Sequence, residues 1–330
     1  MTTDSAPAWS PDPQRFREDL EAKPAVLERL AASPDVPEAV AAIPRAAHVL
    51  FLGMGSSRFA SEDAARRLRA VGFSAVSDYA SATNLPPARP DLLVVGISAS
   101  GTSHETLAAI DRYRGAATTV AFTEHGDSPL AAVCDVTVPL VAGREAGGVA
   151  CRSFQHTGLI LRLLEAHLTG RTLDFGALVG KAAAGSADLL DRRPTWLPAV
   201  TEALDTPGVV GVIGPAERWS CAAQSALMFR EGPRRIAVGA ETGDWNHVDV
   251  YLTKTTDYRA LLLTGTASDD EAVEWLRRRS CRVLTVGSPR ADVALGVSHL
   301  HSDDPSVVVH VDTLVAELVA AAIWASQEAI

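Results

Sequence analysis

Two tandem α/β lobes, each a doubly wound parallel sheet with helices on both faces, are what this sequence predicts. Three observations carry that reading. Strand-like and helix-like segments alternate at lengths that fit parallel crossovers. Three of these segments recur in the same order in the second half of the chain. A chain of 330 residues, 47% hydrophobic and 21% charged, has enough apolar side chains for two cores of ordinary size.

Residues 1 to 12 are rich in Pro, Ser and Asp and read as disordered at their start. Gln14 to Ala22 and Pro24 to Ala31 read as two helical pieces broken at Lys23-Pro24, forming an arm over residues 1–45. A first lobe follows over 46–170. Its strands are expected at 47–53, 73–77, 91–97, 118–123 and 135–139, with helices at 57–71, 104–113, 127–133 and 153–168. Residues 171–206 hold a connecting Ala/Leu-rich helix, expected to be interrupted at Arg193-Pro194. The second lobe, 207–330, then repeats the pattern. Gly208 to Gly214 with the helix 216–231 echoes 49–71, Tyr258 to Thr266 with 268–278 echoes 91–113, and Cys281 to Arg290 echoes 118–130.

Composition excludes several classes. A net charge of -10 with interspersed arginines argues against a nucleic-acid surface. No apolar run approaches the length of a membrane span and no signal peptide opens the chain, so a cytoplasmic location is expected. Cys134, Cys151, Cys221 and Cys281 are widely spaced and read as neither zinc ligands nor disulfides. Only Lys23, Lys181 and Lys254 are available for Schiff-base chemistry.

The stretch Gly96 to Ser103 joins a buried strand to a helix through Ser98, Ser100, Gly101, Thr102 and Ser103. Free backbone N–H groups, hydroxyls and a helix start make a ready phosphate site. The same stretch also reads as an ordinary turn capped by Ser103. In a parallel sheet the C-terminal turns share one edge, so Ser56, Ser57, Ser98, Ser100 and Ser103 are expected to converge on one small polar ligand. Gly53-Met-Gly-Ser-Ser57 is an incomplete dinucleotide fingerprint, with Arg58 in place of the third glycine and only Asp78 closing the next strand. It has no P-loop lysine. The second lobe carries Gly265-Thr-Ala-Ser-Asp-Asp270 in place of the serine turn, and two acids there repel a phosphate. The first lobe is therefore expected to hold the anion, and the second to have another job.

Glu231 ends an apolar helix just before Gly232-Pro233, where the negative end of the helix dipole favours the protonated carboxyl. It reads either as an acid/base group or as a solvated last-turn glutamate. His247, in Glu241-Thr-Gly-Asp-Trp-Asn-His-Val-Asp249, reads either as a titrating group or as a structural histidine.

Taken together, these stretches resemble the sugar isomerase (SIS) family, in particular the duplicated isomerase half of glucosamine-6-phosphate synthase and its relatives without a glutaminase. The resemblance covers about residues 14 to 326. Glu18 to Pro24 resembles the family's opening arm. Gly55-Ser56-Ser57 resembles its Gly-Thr-Ser turn, and Ile97-Ser-Ala-Ser-Gly-Thr-Ser103 resembles Ile-Ser-x-Ser-Gly-Glu-Thr. Ala142 to Phe154 resembles Ala-Gly-x-Glu-x-Gly-Val-Ala-Ser-Thr-Lys-x-Phe, and Ala226 to Glu231 resembles Ala-Leu-Lys-Leu-Lys-Glu.

The resemblance implies flavodoxin-like lobes and a phosphosugar or aminosugar-phosphate isomerase/deaminase of the aldose-ketose type, needing no metal and no cofactor. It places Gly55, Ser56, Ser57, Ser98, Ala99, Ser100 and Ser103 around the phosphate, and Val149, Ala150 and Cys151 along the sugar. Glu231 would move the proton between C1 and C2. His247 would open the ring, reaching the neighbouring subunit's site in a homodimer. The alternatives are a silent phosphosugar sensor and a fructosamine-phosphate deglycase. Four departures stand out: Asp249 after Val248, Met228 for a lysine, Ala99 and Thr102 for glutamine and glutamate, and an end at Ile330 without the family's lysine tail. Residue 2 is Thr, not the Cys of a glutaminase, so glutamine-dependent synthesis is not expected.

Overall fold

A computed structural model of the chain describes residues 11–328; the reading of disorder at the very start of the chain falls on residues outside that range. Three helices open it: α1 (Pro13–Glu21), α2 (Lys23–Ala32) and α3 (Asp35–Ala41). Asp12 caps α1 by accepting from the Arg15 amide, and the arm packs Phe16, Leu20, Leu27 and Leu30 into the core.

The first sheet contains β1 (His48–Gly53), β2 (Ser74–Tyr79), β3 (Leu92–Ile97), β4 (Thr118–Thr123) and β5 (Val136–Pro139). Helices α4 (Ser56–Ala70), α5 (His104–Asp111), α6 (Pro129–Val133) and α7 (Arg152–Thr169) cross over between and after them. The strand order is β2-β1-β3-β4-β5, parallel throughout. β3 is buried along its whole length, as an apolar run covered on both faces must be.

Helix α8 (Phe175–Leu204) leads to the second lobe. The expected interruption at Arg193-Pro194 is not there: α8 runs on through Pro194 and Pro198. Both prolines lie on its exposed side, where the carbonyls they orphan meet water. The buried side continues unbroken through Leu189, Trp196, Val200 and Ala203.

The second sheet repeats the first. Its strands are β6 (Val209–Gly214), β7 (Ile236–Glu241), β8 (Tyr258–Leu263), β9 (Arg282–Val286) and β10 (Leu295–Val297). Its helices are α9 (Trp219–Glu231), α10 (Thr242–Trp245), α11 (Asp269–Arg278), α12 (Pro305–Val311) and α13 (Thr313–Glu328). The order β10-β9-β8-β6-β7 is the first sheet's order read from the other edge. The three repeated segments thus fall on equivalent strands: β6 on β1, β8 on β3, β9 on β4.

One expectation needs correcting. Residues Pro305–Gln327 are long and apolar enough to cross a membrane, an 18-residue window within them reaching mean hydropathy 1.8, but 83% of that window is buried inside the protein. These helices are core, packed on α1, α8 and α9. The four cysteines are free.

Candidate functional site

A doubly wound sheet opens a crevice where neighbouring crossovers leave on opposite faces, here between the C-terminal ends of β1 and β3. On one side the chain turns through Gly55, at φ +51, into α4, whose first turn holds the half-buried Ser56 and Ser57. Gly53 is required there, because a Cβ would stand 2.9 Å from that of Ser57.

On the other side lies the serine turn. The Ser98 amide extends the sheet by donating to Phe122 O at 3.0 Å, and Gly101 N donates back to Ser98 O at 2.9 Å. Gly101 sits at φ +66, and any Cβ on it would collide with Ser128. Ser100 Oγ and Thr102 Oγ1 share a hydrogen bond of 2.8 Å at the exposed tip. Ser103 is the N-cap of α5, accepting from the Thr106 amide at 3.3 Å and donating to Glu105 at 3.0 Å. Its hydroxyl is thus engaged in capping, as the plainer of the two readings held.

The third wall is the loop between β5 and α7, held by carboxylates. Glu124 accepts from the Ala142 and Gly143 amides at 2.8 and 2.9 Å. Glu145 accepts from the amides of Cys151, Arg152 and Ser153 at 2.6, 2.6 and 3.1 Å, and from Ser153 Oγ at 2.6 Å. It fills the anion position at the start of α7. Asp19 from the arm accepts from Gly147 N at 2.7 Å and pairs with Arg152 at 2.9 Å. Burial raises the Asp19 pKa, against the pull of Gly147 and Arg152.

The second and third of these walls border an open cleft of about 240 Å³ whose lining includes Ala99, Ser100, Glu124, His125, Arg144, Glu145, Val149, Ala150 and Ser153. Arg144 brings a positive charge to it. Gly55, Ser56, Ser57, Ser98 and Ser103 flank the crevice without lining this cleft. Cys151 turns away from it: its side chain is fully buried, and burial, with Glu145 nearby, pushes the thiol pKa well up. Met228 is also fully buried, so the position where the family has lysine faces the core.

The second lobe reaches this cleft through α9. Gln224 Nε2 donates to Ala150 O at 2.8 Å, fixing the loop. Glu231 follows seven residues later, two turns on and on the same face of the helix. Glu231 is exposed and does not itself line the cleft, yet the surrounding protein desolvates the carboxylate and raises its pKa; Arg230 opposes the rise and the charge of Glu145 adds to it. His247 lies elsewhere, exposed after α10, its amide bonded to Asp244 O at 2.9 Å. Within one chain it does not line the cleft.

Sequence reasoning missed Glu124, Gln224 and the positioning role of Glu145. Gln224 carried a signal: it is a lone amide in the apolar run Cys221 to Phe229. Among the described residues no group of three or more His, Cys, Asp or Glu is arranged to hold a metal.

Fold and site define a tandem doubly wound α/β protein with an open cleft beyond the C-terminal ends of β3 and β4 of its first sheet. Residues 42–166, which span most of the first lobe, match the family model of the SIS domain. No curated protein matches the chain by sequence. Solved structures match it over nearly its whole length. One is a protein of Silicibacter pomeroyi DSS-3 assigned as a phosphosugar isomerase, with TM-score 0.78, 21% identity, 96% of this chain and 98% of that one covered. Another is the C-terminal domain of glucosamine-fructose-6-phosphate aminotransferase from Francisella tularensis, with TM-score 0.77, 15% identity and 98% of both chains covered. A third is glucosamine-6-phosphate deaminase from Thermotoga maritima, with TM-score 0.74, 17% identity and 95% of both chains covered. At such identities the likeness is one of fold.

Proposed function

We propose that the protein is a phosphosugar or aminosugar-phosphate isomerase/deaminase that moves a proton between C1 and C2 of an open-chain sugar. One observation supports the reading: α9 ties its Gln224 to the loop at Ala150, and Glu231, two turns further along α9 and outside the cleft lining, has its pKa raised by desolvation and by the charge of the cleft residue Glu145. A carboxylate whose pKa lies nearer neutrality is a better acid/base catalyst, and such catalysis contributes about a hundredfold to ten-thousandfold. Glu231 takes the proton from one carbon, leaving an enediol or enolamine, and returns it to the adjacent carbon. The phosphate sits by Ser100 and the Ser98–Ser103 turn, with Ser56 and Ser57 across the crevice. Val149 and Ala150 border the sugar. His247 opens the ring from the neighbouring subunit of a homodimer, which agrees with its exposure and its distance from the cleft of its own chain.

Glu231→Gln tests this. The variant is expected to lose exchange of the C2 proton with deuterated water while still binding sugar phosphates in a thermal-shift titration. Unchanged exchange would remove Glu231 from the mechanism. Binding by the parent protein with no exchange on any hexose or aminosugar phosphate would leave the silent sensor as the function. Release of ammonia or an amine alongside the sugar phosphate separates deamination or deglycation from plain isomerisation.

A further inference from the structure

The second lobe has its own cavity at the position equivalent to the first-lobe cleft. It opens where β6 and β8 end, occupies about 340 Å³, and is lined in part by Glu217, Arg218, Gly265, Ser288, Ser302 and Asp303. That volume lies in the range of small-molecule clefts. Equivalent strands hold it: Arg218 follows β6 as Ser57 follows β1, Gly265 follows β8 as Ala99 follows β3, and Ser288 follows β9 as His125 follows β4.

Its chemistry is different from the first cleft's. The turn after β8 already contains an anion, because Asp269 Oδ2 accepts from the Gly265 and Thr266 amides at 2.7 and 3.2 Å. The donors a phosphate needs are taken. Arg218 is buried, and its charge is matched by Asp312 at 2.7 Å while Nη2 donates to Thr264 O at 2.8 Å. The floor therefore offers N–H groups without a net positive charge. Glu217 and Asp303 are exposed at the mouth and carry two negative charges. Such a mouth repels phosphates and carboxylates and attracts an ammonium. Ser288 and Ser302 add hydroxyls able to pair with those of a polyol.

We infer that this cavity is a second ligand site, selective for an unphosphorylated amino-polyol of hexosamine size. Its ammonium pairs with Glu217 and Asp303, and its hydroxyls meet Ser288, Ser302 and Arg218. The site stands at the start of α9, the helix whose far end carries Glu231. The inference rests on the second lobe's own residues, and only the glucosamine 6-phosphate control draws on the proposed function of the first lobe.

Isothermal titration of the full-length protein with D-glucosamine, D-glucose and glucosamine 6-phosphate tests it. D-glucosamine is expected to bind saturably, and Glu217→Gln/Asp303→Asn to weaken it about tenfold while changing D-glucose little. Ser288→Trp, placed at an exposed edge where the fold tolerates it, is expected to block D-glucosamine and leave glucosamine 6-phosphate binding unaltered. No saturable binding of D-glucosamine, or binding that both variants leave unchanged, overturns the site. Glucosamine 6-phosphate binding lost in Ser288→Trp overturns the charge selectivity and with it the ligand class.

Discussion

Replacing Glu145 by alanine removes one carboxylate and four hydrogen bonds, three of them from the amide of the N-cap residue Cys151 and the first two amides of α7. Cys151, Arg152 and Ser153 are buried, but Glu145 lines the open cleft, so water entering the space its side chain vacates can reach the freed amides, and a net loss of roughly 1 kcal/mol per backbone bond is expected rather than the full cost of a buried orphan. The total is about 3 kcal/mol. Unfolding entropy of roughly 2.1 cal/mol/K per residue gives about 0.7 kcal/mol/K for a chain of this length, so the melting temperature should fall by about 4 °C. The variant also vacates a helix N-terminus. Inorganic phosphate should therefore stabilise Glu145→Ala more than the parent, and Glu145→Gln, which keeps a carbonyl acceptor, should recover part of the loss. Differential scanning calorimetry with and without phosphate reads all of this. A melting point within about 1 °C of the parent would refute the claim that Glu145 closes this helix end.

Three other consequences can be checked by equilibrium unfolding. Burial raises the pKa of Asp63 to about 6, against Ser220, Arg67 and Arg66, so the folded state holds a proton the unfolded state has lost between the ordinary carboxylate range and pH 6. Stability should therefore decline by about 3 kcal/mol across that window as pH rises, a decline missing from Asp63→Asn; parallel pH profiles would count against it. Gly101→Ala forces a Cβ into Ser128 at φ +66 and should cost at least about 2 kcal/mol in a urea titration, with Ser128→Gly restoring part; a neutral effect contradicts the turn geometry. Lys23 and Glu317 form a fully buried pair at 2.5 Å between the arm and α13. Lys23→Met alone should cost about 3 to 5 kcal/mol by stranding Glu317, and Lys23→Met with Glu317→Leu should regain most of it; additive losses would mean the pair is not coupled.

Much of the fold was legible because parallel strands covered on both faces leave continuous apolar runs, as at Leu92 to Ile97 and Val209 to Gly214. The repeat was legible for the same reason. Edge strands were not: Ile236 to Glu241 is half covered, with exposed Ile236 and Gly239 in its middle, and the sequence pattern gave no strand there. The continuity of α8 through two prolines was also hidden, because it depends on which side of the helix meets water.

At the site, the sequence alone marked the small-residue turns and the acid that ends α9, since turns and helix ends select those residue types, while the loop from Ala142 to Phe154 was marked only by its resemblance to a family motif. It also marked the second lobe's acids as unfit for a phosphate. Only the tertiary structure decided that Asp269 fills its own turn, that Glu145 fills the start of α7, and that Gln224 carries α9 and Glu231 to a loop of the other lobe. The first two contacts are short in sequence but depend on the path of the folded loop, whereas the third spans 74 residues and arises from how α9 packs across the lobes, which no local pattern of residues encodes.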